Sequence, residues 1–168
     1  TNGQSRIFEE ALRRYNLAYR VYGGLSFYQR KEVKDVLAYI RLTNNDKDDE
    51  ALKRIINYPR RGIGDSSVDA IAQMATDNDI SMWDVLTHMQ FNARAKKSVG
   101  EFVVMIQNFK KFAKENDAYQ TAFYIVKNCG ILEDLKSEGN IEAEARLENI
   151  TSLLNGIQEF VDDDTLEV

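Results

Sequence analysis

Between Ser5 and Tyr15 the apolar residues Ile7, Phe8, Ala11, Leu12 and Tyr15 fall at the spacing of one helical face. Ala18–Tyr22 (AYRVY) alternates instead, is rich in Tyr and Val, and runs into Gly23-Gly24, so it predicts the one strand of the chain. A single helix and a single strand cannot close a sheet, and this preface is expected to lack its partners here. From Glu32 onward every periodic stretch reads as helix. Val33, Val36, Leu37 and Ile40 make an i, i+3, i+4, i+7 face. The polar run Asn44–Glu50 predicts a loop and Ala51–Ile56 a short helix. Pro59 predicts that helix's end, because the residue before a proline avoids helical backbone.

After Gly62-Ile63-Gly64, Ser66 and Ser67 stand where a helix N-cap is wanted, with Asp69 completing a capping box, and Ile71 and Ala75 share the next face. Ser81 with Asp84 repeats that pattern ahead of Trp83, Leu86 and Met89. Phe102, Met105, Ile106, Phe109 and Phe112 predict a long helix beginning near Ser98. Ala118–Val126 predicts another, closing at Asn128-Cys129-Gly130 with glycine just past its end. A short helix over Ile131–Lys136 follows. Leu147, Ile150, Leu154, Ile157 and Val161 then predict a last helix packed along its length. No repeat of solenoid period is present. The pattern predicts a mainly α chain of several helices with a short helix–strand preface.

At 168 residues the chain suits one domain, and 43% hydrophobic with 29% charged residues is a soluble globular balance. With 1 Pro and 9 Gly it has few turn formers, in keeping with long helices. No apolar run approaches the roughly 18 residues of a membrane span, and no secretory leader follows Thr1. The lone Cys129 excludes an internal disulfide and fits a reducing compartment. With His88 as the only histidine, a His/Cys metal site has too few ligands, so no metal is expected. The formal net charge of −5 argues against indiscriminate nucleic-acid binding but leaves room for a local basic patch. A start at Thr1 rather than Met predicts a piece of something longer.

The stretch Lys53–Ser67 is the most informative. It holds four basic residues (Lys53, Arg54, Arg60, Arg61) and no acid up to Arg61. Short helix, tight two-glycine turn and second helix predict a helix-hairpin-helix element suited to phosphate. Glycines admit close approach, and amides at the second helix's N-terminus point outward with a favourable dipole. Arg60 and Arg61 can add charge, and Ser66 or Ser67 a hydroxyl. The same residues also fit a plain helix–helix turn with solvated arginines. A second basic cluster, Asn92–Ser98 with Arg94, Lys96 and Lys97, is expected as a loop ahead of the long helix. Paired with the first, it could track one duplex backbone; alone it reads as a solvated loop. Between Gly23 and Asp35, Phe27 and Tyr28 could stack on bases beside Arg30 and Lys31. They fit equally as core aromatics with charges paired along a helix. Catalysis fails on inventory: there is no GxxxxGK[ST] phosphate loop. His88 lies mid-helix without partners, Cys129 has no activating neighbour, and Asp162–Asp164 reads as a solvated acidic linker.

With these residues in hand, the chain resembles the UvrD/PcrA/Rep helicases of superfamily 1. The likeness runs through Thr1–Arg6, Tyr22–Tyr39, Arg54–Asp65 and Glu144–Ile150, in the family's order and spacing. It implies that residues 1–31 are a piece of the second RecA-like domain (2A) and residues 32–168 the helical 2B domain. It implies a non-catalytic, regulatory, duplex-binding module of an ATP-dependent 3′–5′ DNA helicase of repair or replication, cytoplasmic and nucleoid-associated in a bacterial-type cell. ATP and Mg²⁺ would act in parent domains outside this chain. Partners would be double-stranded DNA, single/double-strand junctions and the remaining helicase domains. The DNA-binding residues that the resemblance implies are Arg61, Gly62, Ile63, Gly64 and Ser67; the basic clusters and the serine pair add Arg60, Ser66, Arg94, Lys96 and Lys97, the basic three of the second cluster (Arg94, Lys96 and Lys97) standing where the family has small residues. Phe27, Tyr28, Arg30 and Lys31 are candidates for DNA or hinge contacts. A helical protein-interaction or autoregulatory module without direct DNA binding is the alternative, its duplex-facing loops docking acidic partners.

Overall fold

The computed structural model describes residues 27–90 and 93–166. The expected helix at Ser5–Tyr15 and strand at Ala18–Tyr22 lie outside them. Among the described residues there is no strand. Eight helices follow one another: α1 (Lys31–Asn44), α2 (Asp49–Ile55), α3 (Asp65–Asn78), α4 (Met82–His88), α5 (Ala93–Glu115), α6 (Ala118–Asn128), α7 (Ile131–Glu138) and α8 (Ile141–Leu166).

The first of these is the hub. Its contacts run to α2, α5, α6 and α8, and Val33, Val36, Tyr39, Ile40 and Leu42 are all closed to solvent. Those residues recur at three- and four-residue steps, so α1 buries more than half its circumference. Two polar groups go inside with it, each satisfied. Asp35 receives Lys31 Nζ at 2.9 Å and Arg54 Nε at 2.8 Å. Glu32 accepts from Asn149 Nδ2 of α8 at 2.7 Å, and Arg30 donates to the same amide's oxygen at 2.8 Å. The start of α1 is thereby tied to α8.

Helix starts follow the local chemistry. Asp48 caps α2 by accepting from Ala51 N, so the polar run shortens to a 45–48 loop and helix begins at Asp49. Ser81 caps α4 through Asp84 N, as its spacing predicts. Asp117 and Gln120 form a reciprocal capping box on α6. The expected cap of α3 is corrected: Gly64 is its N-cap, with no side-chain bond, and Ser66 and Ser67 lie inside the first turn. Two other expectations change. Residues 93–98 belong to α5 rather than to a loop, because Ala, Arg and Lys are strong helix formers needing no apolar periodicity. The Asp162–Asp164 stretch continues α8 rather than forming a linker. His88 is the last residue of α4 and exposed, not mid-helix.

Candidate nucleic-acid interface

Residues 56–64 connect α2 to α3, and a side chain from within organises them. Asn57 Oδ1 accepts both the Arg61 amide at 2.8 Å and the Ile63 amide at 3.1 Å. Gly62 between them takes φ +81°, the left-handed region that glycine enters without steric cost. Ile63 turns inward and is 1% exposed. Its side chain anchors the turn in the core, which leaves only its backbone to face a ligand.

Arg61 is engaged in the interior. Its Nη1 donates to the carbonyls of Ile55 (2.7 Å), Ile56 (3.3 Å) and Tyr58 (3.1 Å). Its Nη2 donates to the Cys129 carbonyl at 3.1 Å and to the Tyr39 hydroxyl, which itself donates to the Tyr58 carbonyl. The guanidinium lies 5.3 Å from the Phe102 ring centre and 5.7 Å from that of Tyr39. Ile55 and Ile56 end α2, and Cys129 caps α6. The cation therefore sits where two helix C-termini converge, the sign that their dipoles favour. This also ends α2 ahead of Pro59. Burial pushes the Tyr39 hydroxyl well above its usual range, with the Arg61 charge pulling the other way.

Outside that anchor the surface has the opposite character. Arg60 is exposed and has no ion-pair partner among the described residues. Gly64 has φ −74° and ψ 170° and, lacking a side chain, leaves α3 uncapped. Ser67 N and Val68 N reach the Gly64 carbonyl at 3.1 Å each, and the amides of Gly64, Asp65 and Ser66 have no acceptor among the described residues. A Cβ at Gly64 would meet nothing within 4 Å; the space before these amides is open. Ser66 is exposed and Ser67 half-buried. The Asp65 carboxylate stands at the same helix start and opposes a second anion. Such an N-terminus offers outward N–H groups and a positive dipole end to phosphate.

The second basic cluster meets the first through Ser98, whose Oγ lies 3.8 Å from where Gly62 would carry a Cβ. Lys96 and Lys97 immediately precede it, exposed on the first turns of α5. Arg94 lies one turn earlier, its side chain outside the described residues. Phe27 is 2% exposed and packs edge-on against half-buried Tyr28 at 5.9 Å, so the Phe27 ring is core and not a stacking platform. Lys31 covers the Tyr58 ring at 3.7 Å and pairs with Asp35, while Arg30 holds Asn149. Arg54 is held by Asp35, which leaves Lys53 and Arg60 as the outward charges of that run. Sequence reasoning missed Asn57 and Tyr39 altogether. An Asn four residues before Arg61 hints at a turn clasp, but nothing local marks Tyr39.

Among the described residues no three His, Cys, Asp or Glu side chains gather as metal ligands. No helix there is long and apolar enough to cross a membrane.

The chain matches known proteins along its whole length. Residues 1–168 match the model of the UvrD-like helicase C-terminal domain. The chain is 36% identical to DNA helicase II of Haemophilus influenzae over 99% of its own length and 24% of that protein's. It is 39% identical to the ATP-dependent DNA helicase PcrA of Staphylococcus epidermidis and 37% identical to PcrA of Staphylococcus aureus, over 99% of its own length and 23% of theirs. It thus spans about a quarter of the length of these curated relatives. A helical chain matched from end to end by that family's model belongs to the UvrD-like helicase C-terminal domain family.

Proposed function

We propose that this chain is the duplex-DNA-binding, regulatory 2B part of an ATP-dependent 3′–5′ DNA helicase acting in repair or replication in a bacterial cytoplasm. Residues 1–31 would be its piece of the 2A domain. The observation that carries the reading is the uncapped start of α3. Three amides and an exposed Arg60 without partners among the described residues, and open space before Gly64, lie beside the Lys96–Lys97 turn of α5. Contacts of this kind grip phosphate without reading sequence. The motor domains would hydrolyse ATP with Mg²⁺ and pull one strand, while this surface holds the duplex ahead of the junction.

The test is a titration of isotope-labelled chain with a short DNA hairpin at about 50 and 200 mM salt. Amide shifts should centre on Gly62–Ser67, shrink as salt rises, and report a Kd on the order of 10⁻⁴ M or weaker. Gly64→Val should keep the fold, since its φ is ordinary and its Cβ meets nothing, yet block the amides and weaken binding severalfold. Saturating duplex that leaves these amides unmoved would end this reading. One observation favours protein docking as a second role. Phe123, 44% exposed, borders a groove of about 390 Å³ with Phe112, Tyr119 and Lys127, well separated in sequence from the phosphate-facing turn.

A further inference from the structure

We infer that Arg61 is the positioning residue of this surface and makes no phosphate contact itself; the inference rests on the duplex-binding reading above. Nη1 and Nη2 of the guanidinium donate to four carbonyls and the Tyr39 hydroxyl, which commits both terminal nitrogens to the protein. Its backbone amide is meanwhile held by Asn57. Side chain and main chain of one residue thus fix both ends of the 57–61 segment, and Gly62 to Ser66 extend from that anchor. A lysine cannot replace it. One ammonium has three donors at a single point, whereas these five acceptors are shared between two nitrogens of a planar fork. Arg60, one residue earlier, faces solvent. The two neighbouring arginines therefore divide the work, one attracting phosphate and the other holding the amides in place.

The experiment compares Arg61→Lys, Arg61→Gln and Arg60→Gln in the 168-residue chain. Each is read by hydrogen exchange of the Gly62–Ser67 amides without DNA, and by the affinity and salt slope for a short DNA hairpin. Tyr39→Phe, which removes one acceptor and keeps the ring, covers the case in which an Arg61 variant fails to fold. Positioning predicts that both Arg61 variants speed exchange across the turn, with α1 and α8 still protected, and lose about tenfold in affinity although Lys keeps the charge. Arg60→Gln should leave exchange unchanged and lower the salt slope by about 0.9, the value of one phosphate contact. Tyr39→Phe should loosen the turn in the same direction by a smaller factor. The inference is overturned if Arg61→Lys binds duplex like the parent and Arg61→Gln lowers the slope by about 0.9 with exchange unchanged. It is also overturned if the turn loosens and duplex affinity stays the same. If the unsubstituted chain binds no duplex while Arg61→Lys still loosens Gly62–Ser67, the nucleic-acid reading fails and the positioning of this turn by Arg61 is upheld.

Discussion

Burial holds the Cys129 thiol in its neutral form. The residue is 4% exposed, its S–H faces the Val126 carbonyl at 3.8 Å, and its pKa is pushed from the usual 9.0 to about 11. Desolvation is the main cause; the Ile131 amide and the Arg61 charge pull the other way. A group whose folded pKa is raised stabilises the fold below its unfolded pKa, and that contribution fades as pH climbs through the folded value. The fold should therefore lose stability between pH 9.0 and about 11, and denaturant titrations of Cys129→Ala should show a shallower fall over that window. Tyr58, pushed up to about 12 by burial, adds a slope of the same sign at higher pH. Near neutral pH the folded chain should react with a thiol reagent far more slowly than the unfolded one, since the thiolate is the nucleophile. Equal rates would contradict this burial.

Gly64 at the head of α3 sets stability against binding. An aspartate there would cap α3 through the amides of Ser66 or Ser67, a change that favours folding by a few tenths of a kcal/mol. It would also occupy those amides and place a carboxylate where phosphate approaches. Gly64→Asp should thus raise the melting temperature slightly and weaken duplex binding more than Gly64→Val does. A variant that melts higher and binds normally would mean the amides are not used. The helices themselves were largely legible. The three- and four-residue steps of Val33–Ile40 and Ile150–Ile157 name faces that are buried apart from half-buried Leu37, and Ser81 with Asp84 marks a true cap. What local pattern could not supply was cap identity in a glycine turn, because Gly64 acts through its backbone alone. Nor could it locate the start of α5, where Ala93–Lys97 carry propensity without an apolar face. The roles of Arg60 and Arg61 were illegible for a deeper reason. Arg61 is set apart by partners that its own neighbourhood does not announce, Tyr39 22 residues before it and Cys129 68 residues after it among them.

At the scale of the molecule, α1 ties the two ends of the helical series together, touching α2 and α5 as well as α6 and α8. Removing bulk there loosens every seam at once. Ile40→Ala, at a position 1% exposed, should cost about 2–5 kcal/mol, a large share of the roughly 5–15 kcal/mol that holds a domain folded. A thermal melt would show it as a drop of many degrees, and a loss below about 1 kcal/mol would mean the site collapses to fill the void. Trp83 lies on another seam. It is 5% exposed, and Lys110, which lies 5.4 Å from its ring, also binds Asp46 of the α1–α2 loop. Because it is the chain's single tryptophan, its emission colour reports water reaching that corner and no other. The lone thiol at the α6–α7 joint keeps a separate, chemical clock. Neither reporter belongs to the 60–67 turn, so the two can be timed against each other with DNA present or absent. Agreement between them is the signature of one cooperative unit; a lag would show which corner comes apart first.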